Sequence, residues 1–114
     1  MQPTLYKRSP QAKNEMKRSM VLKFKDRSIF LSGKFIIGRD ARNDIPLPND
    51  PLVSRNHAMI SFIQGRYFIH DMSSLNGTYV NNTPLAKGEK KALSLGDVII
   101  IGKTTITVST GVTL

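Results

Sequence analysis

The chain has 114 residues, a net charge of +9, 39% hydrophobic and 22% charged residues, which suits one ordinary domain with a modest core. It has no cysteine, so a disulfide framework and a thiolate metal site are both excluded. Its longest apolar runs, such as Val98-Ile99-Ile100-Ile101, are far too short to span a membrane, and its N-terminus lacks a signal-peptide core, so a cytoplasmic protein without a membrane partner is expected.

Residues 1–27 hold eight Lys/Arg against Glu15 and Asp26, or +6, and residues 28–114 hold nine against six, or +3. The excess therefore concentrates at the N-terminus. Residues 1–19 are polar, carry Pro3 and Pro10 and show no apolar period, which reads as a flexible basic tail. From residue 20 to 110 the texture is that of an all-β domain: short apolar runs separated by Gly, Pro, Asn and Asp.

In chain order, Met20, Leu22 and Phe24 alternate with Val21, Lys23 and Lys25, the pattern of a half-buried strand. Ser32-Gly33 turns the chain into a strand over 34–38. Residues 40–56 contain Pro46, Pro48 and Pro51 and read mainly as loop, with a short strand at 45–47. Runs at 57–63 and 66–71 flank Gln64-Gly65 and predict a hairpin in which facing residues sum to about 129. Phe62 then faces Tyr67, and His57 faces Met72. Further strands are predicted at 78–80, 83–85, 91–93, 98–101 and 104–109. No window carries a helical period, so the expected architecture is a β-sandwich of about ten or eleven short strands in two sheets.

The hairpin register places Ser54, Arg55 and Asn56 beside Ser73, Ser74 and Leu75 at one end of the sandwich. Hydroxyls, an amide and a guanidinium meet there, with an acid only at Asp71 on the margin. Such a set suits an anion with several acceptor oxygens, a phosphorylated side chain above all.

Gly38-Arg39, Ser54-Arg55-Asn56-His57 and Asn76-Gly77-Thr78-Tyr79-Val80-Asn81 resemble, in order and spacing, the signature segments of forkhead-associated (FHA) domains. Leu95-Gly96-Asp97 is similar to that family's turn before its last strands. The resemblance implies a SMAD/FHA-like β-sandwich with binding loops at one end, which binds phosphothreonine in partner proteins of Ser/Thr kinase signalling. It implies that Arg39 and Ser54 hold the phosphate, Ser54 by both hydroxyl and backbone N–H. Arg55 would touch phosphate or peptide backbone, and Asn76 the peptide main chain. Gly38, His57, Gly77 and Thr78 would support the loops, with Gly38 and Gly77 supplying backbone conformations that a Cβ resists. A small pocket for the threonine methyl is implied too. Leu75 departs from the pattern, standing where many members have a phosphate-contacting threonine, a role open to Ser73 or Ser74 instead. Leu52 points to an apolar residue in the partner.

Other readings follow from the same residues. Ser54, His57 and Asp71 invite a catalytic triad, but their spacing argues against an enzyme. His57 and His70 lack a third metal ligand, so neither a metal nor a cofactor is expected. A basic tail whose one aromatic residue is Tyr6 makes nucleic-acid binding a weaker alternative, beside a phosphate-independent scaffold. The expected partner is a threonine-phosphorylated protein, a Ser/Thr kinase or its substrate. Thr4, the one threonine in residues 1–19, makes the chain's own phosphorylated tail a further candidate.

Overall fold

The computed structural model describes residues 17–113; the tail residues 1–16, with Thr4, lie outside them. The described residues form eleven strands and no helix. In chain order these are β1 (Lys17–Phe24), β2 (Arg27–Phe30), β3 (Phe35–Gly38), β4 (Ile45–Pro46), β5 (Ala58–Ile63) and β6 (Arg66–Asp71), then β7 (Thr78–Val80), β8 (Thr83–Pro84), β9 (Lys91–Ala92), β10 (Val98–Ile101) and β11 (Thr104–Thr113). They make a six-stranded sheet, β2-β1-β11-β10-β7-β8, and a five-stranded sheet, β4-β3-β5-β6-β9. Every pairing is antiparallel except β3 with β4.

Alternation along each strand turns one row of aliphatic side chains inward. Leu22, Ile37, Ile60, Ile69, Ile99 and Ile106 are all fully buried. Each such side chain contributes about 1.5–3 kcal/mol relative to remaining in water, so this row holds the two sheets together. The β5–β6 hairpin has the expected register, with Ala58 opposite Asp71 and Phe62 opposite Tyr67. The Phe62 and Tyr67 rings pack at 4.7 Å between centroids, tilted by 55° to each other, and the Met72 N–H donates to the His57 carbonyl.

Two expectations at the edges change. A hairpin separates β1 from β2, closed by Lys25 in the left-handed region (φ 54°) rather than by a glycine. Its turn residues, Lys25-Asp26, carry neither Gly nor Asn and gave no turn signal. Strand β1 also begins at Lys17 and β11 ends at Thr113, because the two strands pair with each other along that whole length. Val21, expected on the solvent face, is 1% exposed. The Phe30 ring lies across it toward Gly111, where an added Cβ would come within 2.8 Å of both Phe30 and Val21.

Registers set which loops share an end. Ile101 pairs with Thr104 and with Thr78, and Lys23 pairs with Thr107. The β1–β2 turn, the Gly102-Lys103 turn and the segment leading into β7 therefore lie together. In the other sheet Ile37 pairs with Ala58, which pairs with Asp71, so residues 39–44, 47–57 and 72–77 emerge at that same end.

Candidate functional site

Residues 54–56 lie beside residues 73–75 as the hairpin register predicted, Arg39 joins them from the end of β3, and hydrogen bonds fix these segments to one another. The Arg39 N–H donates to the Ser54 carbonyl, and its Nε donates to the Val53 carbonyl at 2.9 Å. Its terminal guanidinium nitrogens remain for an anion. Gly38 lets this crossing happen. A Cβ there would overlap the Arg55 carbonyl oxygen and come within 2.6 Å of Asn43 Nδ2. Gly38 is thus required by close approach and not, as expected, by its own backbone conformation. Gly77, at φ 85°, does occupy the left-handed region.

His57 is fully buried between the loops. Its Nδ1 accepts the Ser54 N–H at 3.0 Å, and its Nε2 donates to the Gly77 carbonyl at 2.8 Å, so the ring is held as the Nε2–H tautomer. The Ser54 N–H is consumed by this bond, which corrects the expectation that it would also hold phosphate. The hydroxyl is placed otherwise. Ser54 Oγ accepts the Leu75 N–H at 3.0 Å, and its own proton is left to donate outward. Asn76 Nδ2 donates to the Leu52 carbonyl, and its side-chain oxygen is left as an acceptor. Arg55 is exposed beside them, its carbonyl tied down by Asn43 and the Asp40 N–H.

Two acids do more than the sequence suggested. Asp71 accepts from the Ser74 hydroxyl, the Thr78 hydroxyl at 2.7 Å and the Ser74 N–H at 2.8 Å. Burial by itself would raise its pKa. The two hydroxyls and the N–H hold it below the ordinary carboxylate range. Thr78 is fully buried and braces its loop through this acid. Asp50, 7% exposed, accepts from the Leu52 and Lys103 N–H groups and the Thr104 hydroxyl, fastening the 50–54 segment to the β10–β11 turn. Its pKa is lowered as well, those donors outweighing the effect of burial. Asp50 gave no signal in a Pro-rich loop. Asp71 was legible as the end of a strand, but its anchoring role was not.

This bonding excludes the triad. His57 touches the backbone of Ser54 rather than its hydroxyl, and its other nitrogen is spent on Gly77. Ser54 and His57 therefore do not form a nucleophile–base pair. With both ring nitrogens occupied by backbone groups, His57 is no metal ligand either, and the described residues hold no cluster of three candidate ligands. Ser74 is committed to Asp71 and to the Gly77 N–H, so it does not substitute for the hydroxyl that Leu75 lacks. Ser73, exposed and at φ 56°, has no such commitment among the described residues.

The FHA domain family matches residues 35–102, more than half of the chain. The chain belongs to the FHA domain family. Solved FHA structures agree. One from a structural and functional analysis of phosphothreonine-dependent FHA domain interactions is 37% identical with a TM-score of 0.72, over 80% of this chain and 95% of that one. The FhaA FHA domain, complexed with the intracellular domain of Rv3910, is also 37% identical, with a TM-score of 0.71 over 79% and 99%. Among curated proteins, the glycogen accumulation regulator GarA of Mycolicibacterium smegmatis is 40% identical over 74 residues, 65% of this chain and 44% of that protein. Protein FraH of Nostoc is 46% identical over 55 residues, 48% of this chain and 19% of that protein. The chain thus spans less than half the length of these curated relatives. Its membership makes this FHA domain a phosphothreonine-dependent interaction module rather than an enzyme. Among its described residues no helix is long and apolar enough to cross a membrane.

Proposed function

We propose that the loops built on Arg39, Ser54, Arg55 and Asn76 bind a phosphorylated threonine in a protein modified by a Ser/Thr kinase. The terminal nitrogens of Arg39 and the hydroxyl of Ser54 hold phosphate oxygens, since both keep donors that the fold does not use. Arg55 adds a second cation at the rim. Asn76 presents its side-chain oxygen to a peptide N–H. Gly38, His57, Gly77 and Thr78 support the loops without touching the ligand. The observation that carries this reading is the unspent Ser54 hydroxyl proton beside the Arg39 guanidinium.

The recognition unit in this reading runs from Lys17 to Thr113, the span of the paired first and last strands, rather than over 20–110, and the basic tail is the part of the chain before it. The partner is cytoplasmic, as is the domain, in keeping with a cysteine-free chain. Thr4 of the chain itself, once phosphorylated, is a further candidate ligand for the same loops. Calorimetric titration with matched phosphothreonine and unmodified peptides tests the reading. Micromolar or tighter binding that vanishes without phosphate is expected, and affinity indifferent to phosphate refutes it.

A further inference from the structure

A second groove opens at the same end of the sandwich. Its floor is apolar, made by Phe24 and Leu47, both under 5% exposed, and Pro46 and Pro48 form one wall. The opposite wall is the β1–β2 turn, which contributes the exposed Lys25 and Arg27. The Arg27 guanidinium sits 5.4 Å above the Phe24 ring, which holds it at the rim. The groove encloses about 240 Å³, roughly the volume of eight water molecules and enough for one or two side chains. Neither Lys25 nor Arg27 makes an ion pair among the described residues. Asp50, the acid lining the groove, is buried and already accepts three hydrogen bonds. Lys103, in the neighbouring β10–β11 turn, adds positive charge to the same side.

The groove is continuous with the recognition loops. Asp50 lines its near end and opens the turn that leads to Ser54, with the Val53 N–H donating to the Asp50 carbonyl. A turn of this kind brings its end residues within about 7 Å, so Asp50 and Ser54 lie within about 11 Å. Lys25 continues the register beyond Lys23–Thr107, one strand over from the Thr104 side of the groove, a further ~5 Å. An extended peptide covers that total in about four to six residues.

We propose that this groove binds an acidic stretch of the same phosphoprotein, four to six residues from the phosphothreonine, with its carboxylates on Lys25 and Arg27 and an adjoining apolar side chain on Phe24, Pro46 and Leu47. The inference rests on the phosphothreonine reading of the Arg39–Ser54 loops. It names what those loops leave open: a second, charge-based determinant of partner choice. A basic rim over an apolar floor selects an acidic peptide rather than a bare phosphate, which has nothing to place against proline and phenylalanine.

The experiment compares a core phosphothreonine peptide flanked by alanines with two longer ones carrying Glu-Glu and a leucine four to six residues before or after the phosphothreonine. One extension should tighten binding roughly 3- to 10-fold, the effect of two exposed ion pairs, and the gain should shrink as salt is raised. In the Lys25→Gln/Arg27→Gln double variant the gain disappears while the core peptide binds as before. Lys25→Gln alone, which leaves Arg27 over Phe24, loses part of it, and melts check that both variants are folded. Core binding with no gain from either extension, or a gain that survives the double variant, overturns this proposal alone. Failure of the core peptide to bind overturns the phosphothreonine reading and this one with it. A single-stranded DNA oligonucleotide that weakens in the double variant while the acidic peptide does not would assign the groove to nucleic acid instead.

Discussion

The Nε2 of His57 and the carbonyl oxygen of Gly77, twenty residues apart in the chain, meet at 2.8 Å and tie the two recognition loops together. The other ring nitrogen takes the Ser54 N–H. One buried imidazole therefore sets both the position of the Ser54 hydroxyl and the path of the chain leaving Asn76. In the proposed site, the phosphate-holding geometry would depend on a side chain whose ring nitrogens are both spent inside the fold.

Removing that imidazole leaves the Ser54 N–H and the Gly77 carbonyl without partners in a buried place. His57→Ala should lower stability by about 1–3 kcal/mol, read as a shifted denaturant midpoint. Phosphopeptide affinity should fall with it, because the loops lose their tie. A midpoint unchanged within error would return His57 to the candidate ligands.

In the proposed site Arg39 acts through its terminal nitrogens, since its Nε is bound to Val53. Arg39→Ala should reduce phosphopeptide affinity roughly 10- to 150-fold, the loss of a hydrogen bond to a charged group. The melt should shift little. Arg39→Lys, which keeps the charge but loses the fork, should recover the affinity only in part. Titration calorimetry on the two variants measures this, and wild-type affinity in Arg39→Ala would remove Arg39 from the site.

Gly38 is a close-approach position, with the Arg55 carbonyl and Asn43 where a Cβ would stand. Gly38→Ala should therefore push the 54–56 segment outward and destabilise the domain by about 1–3 kcal/mol. Gly33 is the contrasting control. Its φ of 67° is strained for alanine, but nothing lies within 4 Å of its Cβ position. Gly33→Ala should leave phosphopeptide binding intact, whereas Gly38→Ala should not.

Asp71 is depressed below the ordinary carboxylate range by the Ser74 and Thr78 hydroxyls and the Ser74 N–H, against the opposing effect of burial. A carboxylate with a folded-state pKa below its unfolded value stabilises the fold above the unfolded value, near pH 4. That stability is lost as pH falls through the folded value. Asp71→Asn should be less stable than wild type at pH 7 and lose less stability on further acidification. Urea unfolding between pH 7 and pH 3 checks both parts, and parallel pH profiles for the two proteins would contradict the assignment.

Phosphothreonine should be preferred over phosphoserine in the same peptide. One buried methyl is worth about 0.8 kcal/mol, a preference of roughly fourfold. Equal affinities would mean that no methyl pocket forms between the loops.

Local chemistry and periodicity were enough for most of the frame. Short apolar runs bounded by turn residues marked β5, β6 and β10, and the two-residue turn at Gln64-Gly65 determined the register that brings Ser54 beside Leu75. That register is a matter of counting, because side chains repeat every two residues and a tight hairpin allows no slack. The signature segments likewise singled out Arg39, Ser54 and Asn76 as candidates without coordinates. What only the tertiary structure decided were contacts between distant parts of the chain. The spending of the Ser54 N–H on His57, the anchoring of Asp50 to Thr104 and the crowding of Gly38 by Arg55 join residues from different strands or loops. The length of β1 and β11 was hidden for the same reason. Their ends are polar or basic, and a strand held by its partner's backbone hydrogen bonds needs no apolar pattern of its own. Val21 shows the converse: its place on the outer face followed from alternation, but its burial depended on a phenylalanine and a glycine brought over it by two other strands.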